Sequence, residues 1–184
     1  MSDASAKAED KMKKSVTSLR DDFNAIRTGH ASAALFDKIR VDYYGQKTPL
    51  NQVATISVPE ARLVVIQPWD KGILSEIEKA IQTSDLSVNP NNDGKVIRIN
   101  FPPLTEERRK EFAKHAKNLA EQCRVAIRNV RREANEELKK LQKTGDLSED
   151  QEKREQEGIQ KLTDGYIDQV DKLLRDKEKE IMEI

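Results

Sequence analysis

Lys110, Lys117, Arg124 and Arg131 recur at every seventh residue, and Arg128 and Arg132 widen the row. Residues seven apart lie almost in line along an α-helix, so this spacing stacks six cations on one side of a single rod. Guanidinium forks and ammonium groups at fixed intervals suit phosphate oxygens, so the chemistry open to this row is contact with a nucleic-acid backbone. An apolar series shares the segment: Phe112, Ala116, Leu119, Cys123, Ile127, Val130, Ala134, Leu138 and Leu141. Its steps of three and four average close to 3.6, which describes one side of a nearly straight helix. At about 100° per residue the basic row is centred roughly 125° from that stripe. The spacing therefore predicts a basic face in solvent beside a packed apolar one. A plain solvated face of a charged bundle carries the same pattern, and spacing alone leaves both readings open.

The helix that holds the row has a defined start. Pro102 and Pro103 cannot lie inside it, Thr105 can cap its first amides, and Glu106 and Glu107 fall where the helix dipole favours negative charge. A helix over 1–28 precedes it, with Ala8, Met12, Val16, Leu19, Phe23 and Ile26 on one side and Gly29 as a left-handed stop. A third helix runs from about Ser148 to Ile184, opened by a capping box of Ser148 and Gln151. Its stripe is Ile159, Leu162, Tyr166, Val170, Leu173, Leu174 and Ile181. Only Thr144, Gly145, Asp146 and Leu147 join the second and third helices, which makes them antiparallel neighbours. None can bury its stripe alone, so the three form an elongated bundle whose longer rods reach roughly 55 Å. Glu149 to Gly158 contains no apolar residue and is expected to project as a polar tip. Gly158 and Gly165 weaken the third helix by about 1 kcal/mol each, with close packing and mild flexibility both open as the reason.

Between Gly29 and Thr105 the period changes. Ile39, Val41 and Tyr43 alternate, Val53 to Val58 and Leu63 to Ile66 are β-branched or aliphatic runs, and Val96 to Phe101 reads as a strand. Ile73, Leu74, Ile77, Ala80 and Ile81 mark one short helix, and Asn89 to Gly94 is a turn-rich loop. The fold expected is α+β: a discontinuous helical bundle of 1–29 and 105–184 with a small α+β domain, 30–104, inserted into it. Thr28, Gly29 and His30 form one tether, and Pro102, Pro103, Leu104 and Thr105 the other. Two short tethers allow a hinge at 28–30 and 102–105, whereas prolines by themselves favour stiff corners.

The chain has 184 residues, a hydrophobic fraction of 36% and an equal charged fraction, which suits surface-rich helices better than a compact globule. Its net charge of zero conceals an asymmetry. Residues 104–143 carry 12 basic and 7 acidic side chains, and residues 146–184 carry 7 and 13. A basic face can bind phosphate while acidic surfaces limit non-specific sticking. The single cysteine, Cys123, excludes an internal disulfide and reads as a small core residue in a reducing compartment. No apolar run approaches membrane-spanning length and no leader pattern opens the chain, so a soluble cytoplasmic protein is expected.

Catalytic chemistry is hard to assemble from these residues. His30 and His115 lack a cysteine or acid at metal-ligand spacing, and His115 reads as a packing or rim residue. No glycine-rich phosphate loop or nucleophile elbow is present, and Asn91, Asn92, Asp93 and Gly94 lack the acid spacing of a calcium loop. Trp69 after Pro68 reads as a domain-core anchor. The expectation is a non-enzyme with no metal or cofactor.

Six motifs in order carry a resemblance. They are Ile26-Arg27-Thr28-Gly29, Val41-Asp42-Tyr43-Tyr44-Gly45, Thr48-Pro49-Leu50, Leu86-Ser87-Val88-Asn89-Pro90, Pro102-Pro103-Leu104-Thr105-Glu106-Glu107-Arg108-Arg109 and Arg128-Asn129-Val130-Arg131-Arg132. Over essentially its full length the chain resembles the bacterial ribosome recycling factors. The resemblance implies an L-shaped protein of transfer-RNA dimensions, monomeric, with the bundle as long arm and the inserted domain as short arm. It implies binding to the large ribosomal subunit after termination and, with elongation factor G and GTP, splitting of the ribosome with release of messenger and transfer RNA. GTP hydrolysis then belongs to elongation factor G. By this resemblance Arg131 falls at the family's RNA-contacting arginine, supported by Arg27, Arg128 and Arg132. Arg108, Arg109, Lys110, Lys117 and Arg124 complete the expected RNA-binding set, and the two tethers become the hinge on which the small domain swings.

One departure stands out. After Arg-Thr-Gly the family commonly carries another arginine, where this chain has His30, a side chain only partly charged at neutral pH. A helical scaffold or adaptor accounts for charged rods and missing catalysis, but not for clustered arginines or ordered motifs. An inactive or inhibitory variant of the factor shares every feature above.

Overall fold

The computed structural model describes residues 2–183. The chain divides into two compact units, Met1–Phe23 with Ala113–Glu178 and Asn24–Phe112 with Lys179–Ile184. The division falls inside the helices and not at the tethers. The end of the first helical segment explains why on one side: the Arg27 guanidinium lies over the Phe101 ring, 5.2 Å from its centroid, and donates to the Pro102 carbonyl.

Three helices, α1 (Asp3–Asn24), α3 (Glu106–Lys143) and α4 (Glu149–Met182), supply the first unit with most of their length; the first turns of α3 and the last of α4 belong to the second. The caps form as their residue types dictate. The Arg108 N–H donates to Thr105 Oγ1 at 3.2 Å, and at the start of α4 Gln151 N–H and Ser148 N–H donate to each other's side chains at 3.2 and 2.9 Å. Gly145, at φ +82°, makes the turn between α3 and α4. Polar contacts give the register. Lys117, Arg124 and Arg131 of α3 meet Glu178, Asp171 and Gln160 of α4, so these two run antiparallel. Lys7 and Lys11 of α1 meet Glu137 and Glu133 of α3, which sets α1 antiparallel to α3 as well. Small residues line the seam: Ala4, Ala8, Ala116, Ala120 and Ala134 are buried, and Met12, Ile127, Leu138 and Ile159 fill the space beside them. Gly158 and Gly165 have nothing within 4 Å of an added Cβ, so close packing is not their reason. The polar start of α4 does not project freely. The hydroxyls of Ser2 and Ser5 donate to Glu155, and those bonds hold its carboxyl below the usual range.

The second unit carries the β structure. β1 (Arg40–Tyr43) and β2 (Gln46–Pro49) form a hairpin. β3 (Ala54–Glu60), β4 (Leu63–Pro68), β5 (Pro90–Asn92) and β6 (Ile97–Asn100) form an antiparallel sheet in the order β3-β4-β6-β5. α2 (Leu74–Gln82) contributes Ile77 and Ile81 to a core with Phe36, Val41, Leu50, Ile66 and Ile97. The proline- and asparagine-rich segment expected as a loop supplies β5, because Pro90 to Asn92 pair with Ile99 to Ile97. The turn from β5 to β6 is Asp93 to Val96, with Gly94 at φ +86°. The N–H of Val96, the Arg98 guanidinium and the N–H of Lys95 converge on the Asp93 carboxyl and hold it well below the usual range. Both outer strands of this sheet contain a proline, Pro59 in β3 and Pro90 in β5.

Three further expectations change. The first helix stops at Asn24, because Ile26 and Arg27 leave the helical path, the former to be buried and the latter to reach Phe101 and Pro102. Gly29 is not a left-handed cap. A Cβ there would stand 3.3 Å from the carbonyl oxygen of Glu183, so close backbone approach is what favours glycine. Trp69 is 66% exposed and does not anchor the core; its indole N–H donates to Thr55 Oγ1 at 2.8 Å.

Ile127→Ala, at a fully buried position of α3, is expected to lower stability by about 2–5 kcal/mol in urea denaturation. A loss below about 1 kcal/mol would show that the helix seam is not packed as described.

Candidate nucleic-acid interface

Lys117, Arg124, Arg128, Arg131 and Arg132 all belong to the first unit. They are not equivalent. Arg124 is largely covered, with 18% of its side chain accessible. Its Nε and Nη2 both donate to Asp171 Oδ1, at 2.9 and 2.6 Å, and its Nη1 donates to Glu121 at 3.0 Å. Burial works against its charge, but hydrogen bonds to Asp171 and Glu121 outweigh it and raise its pKa. Arg124 is thus a strut between α3 and α4, not a free cation. Lys117 stands 3.8 Å from Glu178, and Arg128 donates to Glu121 at 3.4 Å.

The row therefore runs along the seam with acidic α4, and α4 neutralises part of it. Two arginines escape. Arg131 meets only the neutral amide oxygen of Gln160, at 3.1 Å, and Arg132 is exposed with no side-chain partner among the described residues. Within the row, uncompensated positive charge is concentrated at Arg131 and Arg132, with Arg128 weakly held beside them; Lys114, Lys139, Lys140 and Lys143 stand exposed elsewhere on α3, also without a side-chain partner among the described residues.

Arg27, Arg108, Arg109 and Lys110 belong to the second unit. Lys110 pairs with Glu106 at 2.9 Å and Arg108 with Glu111 at 3.0 Å. Arg27 is turned inward, and burial together with the nearby Arg108 charge lowers its pKa. Its Nε and that of Arg109 are buried without a hydrogen-bond partner among the described residues. Arg27 holds Phe101 and Pro102 in place, which the motif Ile26-Arg27-Thr28-Gly29 by itself does not reveal. Of the tether residues, Leu104 is buried, Pro102, Pro103 and Thr105 are exposed, and Thr28 and Gly29 are half-buried. His30 is exposed and, among the described residues, is bonded only to Thr28 through its backbone.

Among the described residues no group of three or more His, Cys, Asp and Glu could hold a metal ion. His115 is exposed and is not a packing residue. A cleft of about 720 Å³ in the second unit is lined by Glu60, Arg62, Ser87, Val88, Asn89 and Phe101, with neither cysteine nor histidine. Among the described residues no helix is long and apolar enough to cross a membrane. Sequence reasoning missed the exposed aromatic group of Tyr43, Tyr44 and Trp69. Tyr44 sits at φ +49° in the β1–β2 turn, packs edge-on to Tyr43 at 4.8 Å and donates its hydroxyl to Asp70 at 2.6 Å. The signal available was Tyr44-Gly45 where a two-residue hairpin calls for positive φ at both positions.

Two outcomes follow from this geometry. Arg124→Ala is expected to lower stability by about 1–3 kcal/mol, because it strands Asp171, and a double-mutant cycle with Asp171→Ala should return a clear coupling. Burial pushes the Cys123 thiol up to about 11. The unfolded chain ionises first on that account, so stability is expected to fall as pH rises from about 9 towards 11. Alkylation at pH 8 should be slow until urea unfolds the chain; prompt labelling of the folded protein would contradict the buried placement.

Comparison with known proteins matches this architecture throughout. The chain is 65% identical to the ribosome-recycling factor of Treponema denticola over 95% of both chains, and 59% identical to that of Caldicellulosiruptor bescii over 96% of both. A solution structure of the ribosome recycling factor superposes with a TM-score of 0.81 at 47% identity, covering 99% of this chain and 97% of the other. A second solved structure, at TM-score 0.68 and 48% identity, covers 98% and 97%; it describes the T. thermophilus ribosome recycling factor and E. coli elongation factor G bound to the E. coli post-termination complex. With the family pattern itself matched over residues 19–182, the chain belongs to the ribosome recycling factor family.

Proposed function

We propose that this protein recycles ribosomes after termination, binding ribosomal RNA of the large subunit through α3 and acting with elongation factor G and GTP to separate the subunits. The observation that carries the RNA contact is the survival of free positive charge at Arg131 and Arg132, with Arg128 beside them, at one end of a row whose other members, Lys110, Lys117 and Arg124, are paired with acids. Guanidinium groups on a rigid helix meet phosphates at fixed spacing and position the protein on RNA backbone and shape. Arg124 and Arg27 support the fold that presents them. Lys117, Arg108, Arg109 and Lys110 add weaker field, since Lys117, Arg108 and Lys110 have acids nearby and Arg109 is half-buried. The protein itself performs no catalysis: GTP hydrolysis is the work of elongation factor G, and the place of action is the cytoplasm.

The tethers 28–30 and 102–105 serve as the hinge between an RNA-bound bundle, 1–29 with 105–184, and a small domain, 30–104, that moves when elongation factor G engages it. Gly29 against the Glu183 carbonyl is the contact most sensitive to bulk at this hinge.

Light scattering of post-termination ribosomes mixed with this protein, elongation factor G and GTP is expected to fall only when all components are present. Arg131→Ala should weaken large-subunit binding about tenfold or more while the melting temperature holds; unchanged affinity would remove Arg131 from the contact. Gly29→Val should slow splitting at full subunit occupancy, and an unimpaired splitting rate would take the hinge out of the mechanism.

A further inference from the structure

Half of the residues of α3 are charged, yet between Lys114 and Arg132 its outermost line is not. Asn118, Gln122, Val125 and Asn129 are all exposed, in steps of four, three and four, and Arg132 ends the line. At 1.5 Å per residue the stripe from 118 to 132 is about 21 Å long. None of the three amides has a side-chain partner among the described residues, and Val125 is 45% exposed in a chain with few exposed large apolar side chains. Such a face has no role in packing, because the apolar stripe lies on the opposite side. It does little for solubility either, a task that lysines and glutamates perform elsewhere on the helix.

We infer that this uncharged stripe is a docking surface for the shallow minor groove of double-helical ribosomal RNA. The inference rests on the proposal that Arg128, Arg131 and Arg132 meet ribosomal RNA, and it names the part of that contact lying beyond the phosphates. Asparagine and glutamine both donate and accept, which matches the 2′-hydroxyls and base edges that an RNA minor groove displays. A carboxylate in the stripe would repel the RNA, and a lysine would seek a phosphate and hold the helix away from the groove floor. Val125 is small enough to lie against ribose without a polar group to desolvate. The charge pattern fits this placement: Lys114 and Arg132 bound the stripe, and of the acids beside it Glu121 is met by Arg124 and Arg128 and Glu133 by Lys11. A protein partner would call for large apolar or aromatic anchors, which the stripe lacks.

The test is binding to purified large ribosomal subunits across a salt series. The triple variant Asn118→Ala, Gln122→Ala, Asn129→Ala is expected to bind about tenfold or more weakly at every salt concentration, with the slope of log affinity against log salt unchanged, because no phosphate contact is lost. Arg132→Ala is expected to weaken binding and also to flatten that slope by roughly one. Alanine favours helix, so circular dichroism should show the triple variant folded. Should it not fold, Asn129→Asp alone places a carboxylate in the groove and should bind more weakly than Asn129→Ala. Wild-type binding by the triple variant beside a weakened Arg132→Ala would overturn this inference alone. A flattened slope in the triple variant would overturn it too, by showing that the amides meet phosphates. Wild-type binding by both the triple variant and Arg132→Ala would bring down the RNA assignment of α3 itself.

Discussion

The pairing of Arg124 with Asp171 fixes how α3 lies against α4, and much of the first unit's surface chemistry follows from that register. Two guanidinium nitrogens on one carboxylate oxygen tolerate little sliding. Once the helices are locked there, Lys117 falls near Glu178, and Arg131 comes within reach of Gln160. A shift of one helical turn would exchange these partners, and with them which cations remain free. Net neutrality of the whole chain is thus compatible with a strongly basic spot. The acidic helix quenches the row along most of its length and meets Arg131 with a neutral amide.

In the second unit a comparable part is played by Arg27, whose charge is held against an aromatic face and a carbonyl oxygen instead of a carboxylate. A carboxylate would make the site indifferent to the backbone around it. A carbonyl acceptor ties the guanidinium to the chain path at Pro102, which is where α3 is about to begin. The cation thereby serves geometry more than charge.

Local rules were legible in the sequence wherever the determinant is local. The Thr105 cap, the Ser148–Gln151 box, the turn at Gly145 and the buried positions of α1 all follow from residue type and a period of 3.6. What could not be read depends on partners distant along the chain. The acid that meets each lysine or arginine is set by helix register, so Arg124 and Arg132 look alike in the sequence and differ in the fold. Glycine at 29 reads as a helix stop, whereas the reason for it lies 154 residues away at Glu183. Pro90-Asn91-Asn92 has the composition of a loop and becomes a strand because β6 offers it a ladder, an instance of tertiary context overriding propensity. Trp69 is large and apolar, but it lies past the last paired residue of β4, where the sheet no longer covers it.

The prolines of the four-stranded sheet have a consequence for the protein at high concentration. An outer strand with a continuous run of free N–H groups is a template on which a second chain can lay itself down. Here β3 and β5 are the two outer strands, and each is interrupted by a residue that has no N–H to offer. Each edge is thereby a poorer template for a second chain, which disfavours edge-to-edge association when copies are crowded together.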